Sequence, residues 1–253
     1  MGKVYFIGAG PGDPELVTVK GQRLIREADL VLYAGSLVPK AIVQCAKDGA
    51  RVEDSAPLNL EETHAVMMET IRDGGMVARV HTGDPSLYGA IREQMELLDR
   101  DGVAYEVVPG VTAGFAAAAA SCRSFTVPEV TQTLIFTRLA GKTPVPDDEH
   151  LRDLAAHGSA MCIYLSAGDP EGIQSELLAG GLAPSTLVME AYRVGWPQEK
   201  VVATDLGHLA ETARENDFTR QTVFLILPGQ GTEDAGTAKS LLYDDNFKHM
   251  YRK

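Results

Sequence analysis

The 253-residue sequence predicts an α/β fold built as two α/β domains. Three observations carry that expectation. Short apolar runs rich in Val, Ile, Leu and aromatics alternate with segments of helical period, the pattern of α/β units with largely parallel strands. A length of 253 residues, at roughly 150 per domain, allows one large domain or two modest ones. Residues 122–133, Cys-Arg-Ser-Phe-Thr-Val-Pro-Glu-Val-Thr-Gln-Thr, have no clear period and separate two α/β stretches of similar length. The expected domains are therefore 1–121 and 134–235, with 122–133 as connection and 236–253 as tail.

Taken in order, Val4 to Ile7 reads as a strand, followed by Gly8-Ala9-Gly10-Pro11-Gly12-Asp13 and a helical pattern from Leu16 to Ala28. Leu30 to Tyr33 is the next strand. The helix from Leu60 to Arg72 is preceded by Asn59 with Glu62 three residues on, close to a capping-box arrangement. Strand Met76 to Val80, helix Ser86 to Arg100, strand Ala104 to Val108 and the Ala-rich helix Ala113 to Ser121 complete the first domain. In that last helix Ala116 to Ala120 suit close helix packing.

The second domain reads as strand Leu134 to Phe136, helix Asp147 to Ala156, strand Ala160 to Leu165 and helix Glu171 to Leu178. Strand Leu187 to Ala191, helix Asp205 to Glu215 and strand Val223 to Leu227 follow. Val188 to Arg193 and Lys200 to Thr204 flank the Gly and Pro punctuated turn Val194 to Glu199, which predicts a β-hairpin and hence a mixed sheet. Apolar periodicity fades over 228–240, and Leu241 to Lys253 mixes aromatic and charged residues.

Composition limits the function. With 23 basic and 35 acidic residues the net charge is −12, which argues against non-specific binding to nucleic acid or to anionic membrane. Cys45, Cys122 and Cys162 lie far apart, with no C-x-x-C and no H-x-x-x-H, so neither a disulfide framework nor a dedicated zinc site is expected. Neither a secretory apolar segment nor a run of ~18 apolar residues occurs, and the reading is cytoplasmic.

The element Gly-Asp-Pro occurs three times, at Gly12-Asp13-Pro14, Gly83-Asp84-Pro85 and Gly168-Asp169-Pro170, each between an apolar run and a helical pattern. Asp at N-cap and Pro at N1 would produce that placement. The first loop fails the dinucleotide fingerprint, because Asp13 stands where G-x-G-x-x-G needs its third glycine and Pro11 removes a backbone N–H. Its glycines still permit close backbone approach. More informative is Arg79-Val80-His81-Thr82-Gly83-Asp84-Pro85-Ser86-Leu87-Tyr88-Gly89-Ala90, which puts backbone donors and Asp84 at a strand's carboxyl end, where α/β ligands bind. Val107-Val108-Pro109-Gly110-Val111-Thr112-Ala113-Gly114 forms a second such turn, expected to face the same crevice.

These motifs, G-A-G-P-G-D-P-E-L-V-T, T-G-D-P-S-L-Y-G-A, P-G-V-T-A-G-F and W-P-Q-E-K-V, resemble those of the tetrapyrrole (corrin/porphyrin) methylases from about Val4 to Leu227. Tyr33 to Pro39, His81 to Pro85 and Leu242 to Phe247 resemble the subgroup acting on C11 of precorrin-4 in cobalamin biosynthesis. The resemblance implies the family's fold, with an S-adenosylmethionine cleft between two α/β domains, and a homodimer. It places the methyl donor at Pro11, Gly83, Asp84, Pro85, Thr112 and Ala113, and near Tyr164, Leu165, Ala191 and Thr222. It also implies a tetrapyrrole substrate that carries several carboxylates.

Methyl transfer from a sulfonium to an electron-rich ring carbon is an in-line displacement, which asks for alignment and a dry pocket more than for strong acids or bases. Asp13 is the candidate for a base or for orienting a ring N–H, with His81 beside it as a weaker one. An anionic substrate meeting a −12 protein needs local cations, expected among Arg79, Arg123, Arg138, Lys142 and Arg193, with His81 a further candidate for substrate contact.

Overall fold

A computed structural model describes residues 2–231, 240, 248 and 250. The tail expected over 236–253, apart from residues 240, 248 and 250, and the 242–247 motif lie outside the described residues. The chain divides into two compact units, Met1–Ala116 with Gly195–Pro197, and Ala117–Val194 with Gln198–Lys253. In this division residues 122–133 belong to the second unit.

The first unit is a parallel five-stranded sheet in the order β3-β2-β4-β1-β5, formed by β1 (Lys3–Gly8), β2 (Leu30–Tyr33), β3 (Arg51–Asp54), β4 (Met76–His81) and β5 (Ala104–Val108). All four residues of β2 are buried, as expected of a strand covered on both faces. The sequence reading missed β3, Arg-Val-Glu-Asp, because three of its four residues are exposed. It is a short charged edge, which discourages further strand addition, and it is identified by its pairing with β2 rather than by a pattern of its own.

Helices α1 (Val19–Glu27) and α2 (Lys40–Val43) cover one face, packing Leu24, Ile25, Ile42 and Val43 against Ile7, Val31, Ala78 and Val80. Gly21 lets α1 lie close to β1, since a Cβ there would sit 2.9 Å from Ile7 Cγ2. On the other face α3 (Leu60–Arg72) and α4 (Ile91–Arg100) bring Met67, Ile91 and Leu98 against Val4, Phe6, Leu30, Leu32 and Val77. The route from β4 through α4 to β5 steps over β1 on the face opposite α1. This reversal beside β1 is the kind of switch point at whose carboxyl ends α/β proteins bind ligands.

The Asn59–Glu62 capping box forms in full. Other helix starts differ from the sequence reading. The segments 16–28, 147–156 and 205–215 each break into a short 3-10 turn (Pro14–Leu16, Asp147–Glu149, Leu206–His208) and then a helix. The helix expected from Ser86 begins only at Ile91. Asp84 is therefore not a helix cap. Residues 85–89 form a turn so tight that a Cβ on Gly89 would lie 2.1 Å from Pro85 O, and Tyr88 and Ala90 take left-handed φ values of 57° and 49°.

Helix α5 (Ala113–Ala120) crosses the division between the units. Ala116, Ala117 and Ala118 are buried, whereas Ala119 and Ala120 are exposed, so close packing accounts for only the first three. The second unit is a mixed sheet in the order β6-β7-β10-β8-β9, from β6 (Leu134–Arg138), β7 (Ala160–Tyr164), β8 (Leu187–Tyr192), β9 (Lys200–Asp205) and β10 (Thr222–Leu227). The β6 and β7 strands pair in parallel, and the hairpin β8–β9 and strand β10 pair antiparallel. Its core joins Met161, Ile163, Val188, Phe224 and Ile226 to α6 (Leu151–Ala155), α7 (Pro170–Ala179) and α8 (Leu209–Glu215). Asp169 caps α7 by accepting from Gly172 N, with Pro170 at the first position.

Candidate active site

Adjacent strands β4, β1 and β5 end in three loops that pack backbone on backbone. Ala9 N donates to His81 O at 2.7 Å, and Gly10 and Gly83 exchange bonds of 3.2 and 2.8 Å. Asp84 ties the second loop to the third: its Oδ2 accepts from Gly110 N at 2.9 Å and its Oδ1 from Ser86 N at 2.8 Å. The expected shared crevice of these turns is thus a bonded cluster within one unit. The closeness of approach allowed by the glycine loop is spent on the protein's own backbone. A Cβ on Gly8 would lie 2.5 Å from Gly110 Cα, and one on Gly110 would lie 2.1 Å from Gly83 O.

Gly83 itself differs. Its φ of +58° suits glycine, yet the nearest atom to a Cβ there is Thr112 Cα at 3.7 Å, so the ground beside it is open. Thr112 is 8% exposed and Pro11 is buried. The sequence reading missed what holds the first loop. Trp196 Nε1 donates to Pro11 O at 3.0 Å, and the indole lies where a Cβ on Gly12 would be, 2.4 Å from Cδ1. Nothing in local spacing could show this, because the partners are 185 residues apart. Asp13 caps the Pro14–Leu16 turn through Oδ1, accepting from Glu15 N at 2.9 Å.

In the second unit the four positions drawn from the resemblance gather at one end of the sheet. Ala191 pairs with Val223 and Tyr192 with Thr222, while Tyr164 closes β7, whose Ile163 pairs with Phe224, and Leu165 follows it. Leu165 is 72% exposed with φ +55°, an unusual conformation for a branched side chain and one that functional sites often hold.

The expected cations separate by surroundings. Arg123 and Lys142 are exposed. Arg193, at φ +46°, donates from Nε to Gln221 Oε1 and lies over the Tyr192 ring. Arg138 gives its guanidinium to the carbonyls of Leu139, Thr143 and Pro144, which braces the following loop. Arg79 is buried, donating from Nε to Gln94 Oε1 and from Nη1 to Leu32 O. His81 is not a cation: burial, and secondarily the Arg79 charge, push its pKa down to about 3. It packs against Phe6 and its Nε2 has no hydrogen-bond partner among the described residues. No group of three or more His, Cys, Asp or Glu able to hold a metal occurs among the described residues, and none of their helices is long and apolar enough to cross a membrane.

Comparison with known proteins places these features. A family model for tetrapyrrole (corrin/porphyrin) methylases matches residues 3–210. The chain is 46% identical to a cobalt-precorrin-4 C(11)-methyltransferase of Priestia megaterium, covering 99% of this chain and 98% of that one. It is 45% identical to a precorrin-4 C(11)-methyltransferase of Pseudomonas aeruginosa, covering 98% of each. Among solved structures, a cobalt precorrin-4 methyltransferase matches with a TM-score of 0.87 and 47% identity, over 88% of this chain and 94% of that one. A uroporphyrin-III C-methyltransferase from Thermus thermophilus, complexed with S-adenosylhomocysteine, matches with a TM-score of 0.73 and 30% identity, over 88% of this chain and 96% of that one. The chain belongs to the tetrapyrrole (corrin/porphyrin) methylases.

Proposed function

We propose that this enzyme transfers the methyl group of S-adenosylmethionine to C11 of precorrin-4 or its cobalt complex, a step of cobalamin biosynthesis. The observation that carries the reading is near-full-length likeness, at 46% and 45% identity, to enzymes named for that carbon. The donor is inferred from the relative crystallised with S-adenosylhomocysteine. The first unit fits such a group: beside Gly83 the nearest atom to a Cβ is Thr112 Cα at 3.7 Å, which leaves room there for a ligand. Gly83, Asp84, Pro85, Thr112, Ala113 and Pro11 are the proposed donor contacts there, and Tyr164, Leu165, Ala191 and Thr222 those of the second unit.

When bound, the donor supplies an electrophilic methyl on a sulfonium. The protein's part is alignment and exclusion of water. Asp84, with both oxygens bonded to backbone N–H, fixes the turn rather than moving a proton. Asp13 spends only Oδ1 on its turn, which leaves Oδ2 to orient a ring N–H or take a proton. Arg123, Lys142 and Arg193 are proposed to attract the substrate's carboxylates. Cytoplasmic location and a homodimer belong to the same reading, the dimer checked by light scattering.

Conversion of precorrin-4 and cobalt-precorrin-4 with carbon-13 methyl-labelled donor tests the reaction. The expected product carries one labelled methyl, on C11 by NMR; label on C17 or C20, or no transfer to either ring, overturns the proposal. Gly83→Arg is expected to abolish donor binding in calorimetry while the protein stays folded. Reversing Arg123, Lys142 and Arg193 to Glu is expected to raise KM for the tetrapyrrole several-fold, less so as salt rises. If none of the three does so, the local-cation idea fails.

A further inference from the structure

On the α3 and α4 side of the first unit lies a cavity of about 260 Å³ whose lining includes Ser55, Asn59, Thr63, Arg79, Glu93 and Gln94. Ser55, Thr63, Arg79 and Gln94 are buried and form its floor, while Asn59 and Glu93 are exposed at its mouth. Arg79 is only 7% exposed, yet both its acceptors, Gln94 Oε1 at 3.0 Å and Leu32 O at 3.2 Å, are neutral. It forms no ion pair and Nη2 no hydrogen bond among the described residues. A buried guanidinium is costly unless a counter-charge meets it, and its planar fork matches a carboxylate. Burial lowers its pKa, to about 10.

Gln94, a neutral amide, meets Arg79 with a dipole and not with a charge. Its Nε2 donates to Ala90 O at 2.9 Å, which keeps Oε1 turned to Arg79 Nε. The geometry points to a carboxylate subsite: the cavity takes one acetate- or propionate-sized arm against Arg79, with the Thr63 hydroxyl beside it and the Asn59 amide at the mouth, the Ser55 hydroxyl being given to Tyr33 O. The volume suits a single arm and excludes a macrocycle. Such an arm belongs either to the tetrapyrrole, in which case the inference rests on and deepens the proposed function, or to a free organic acid. Glu93 at the mouth weakens binding in either case.

The probe is sodium propionate titrated into the full chain without donor or tetrapyrrole, followed by the Arg79 Nε–H NMR signal, with propionamide as the neutral control. Propionate is expected to shift the signal saturably and propionamide to leave it in place. Gln94→Glu, which puts a carboxylate against Arg79 from within, is expected to lower propionate affinity at least about tenfold, and Glu93→Gln to raise it. Denaturation checks that both variants fold. Equal shifts with propionate and propionamide, or unchanged propionate affinity in Gln94→Glu, overturn the subsite.

The source is read separately. Propionate that raises KM for the tetrapyrrole without changing kcat assigns the arm to the substrate, and propionate binding with KM unchanged assigns it to a free acid. Because the titration needs no methyl transfer, failure of the proposed function leaves its result intact.

Discussion

Gly83 and Gly110 touch each other, yet each is glycine for a different reason. Gly110 has no room: a Cβ would stand 2.1 Å from Gly83 O and 2.7 Å from Gly8 Cα, both backbone. Gly83 has room and an unusual φ. Gly110→Ala is therefore expected to cost roughly 3 kcal/mol or more in urea denaturation, because the loops must part. Gly83→Ala should cost about 1 to 2 kcal/mol of backbone strain. Similar losses for the two would refute the distinction. Sequence alone marked Gly83 and Gly110 through their turns and gave the first loop's glycines room for close backbone approach, but it could not say which backbone approaches, since steric need is set by what lies opposite.

Among the helices and strands, those whose cause is local were legible and those made by partners were not. Asn59 and Glu62 announce α3 because the capping bonds are exchanged within one turn. Asn59→Ala is expected to cost about 1 kcal/mol and lower the melting temperature by a few degrees. Asp84 occupies a like-looking motif, but its carboxylate serves Gly110 and Ser86 instead of a helix. Asp84→Ala should thus leave helix content unchanged by circular dichroism while weakening donor binding. Loss of helix signal would restore the capping reading. Strand β3 and the delayed start of α4 were illegible for the same reason: pairing with β2 and the tight 85–89 turn depend on distant or non-periodic contacts.

At the scale of the whole molecule, two buried groups outside the proposed chemistry shape stability against pH. Glu190 on β8 is 0% exposed, with Phe224 and Val202 as cross-strand neighbours and no hydrogen-bond partner for either oxygen among the described residues. Burial raises its pKa to about 8. The native state therefore holds this proton while the unfolded chain releases it near ~4.3, so stability falls as pH rises from there to about 8. His81 acts oppositely, because its native pKa of about 3 lies below the unfolded ~6.5, and stability falls as pH drops between them. Glu106, held down to about 2 by Lys20 and Lys3, adds to the acid limb. The two buried groups offset one another between ~4.3 and ~6.5, giving a plateau with a falling alkaline side. Glu190→Gln is expected to remove most of that alkaline fall, roughly 2 to 4 kcal/mol, with the acid limb intact in urea titrations across pH. An unchanged alkaline limb would show that Glu190 is ionised in the fold.

Periodicity, caps and motifs are properties of neighbouring residues, and from them alone follow the α/β class, most strands, the mixed second sheet, the Gly83–Pro85 and Thr112–Ala113 turns and the family. Only tertiary structure decided that Asp84 binds Gly110, that Trp196 holds Pro11, and that His81 is neutral. It also decided that Arg79, buried beside a cavity, meets only the neutral acceptors Gln94 Oε1 and Leu32 O among the described residues. Each of these depends on the burial and distance of groups far apart in the chain, and electrostatics and packing act through space rather than along the sequence.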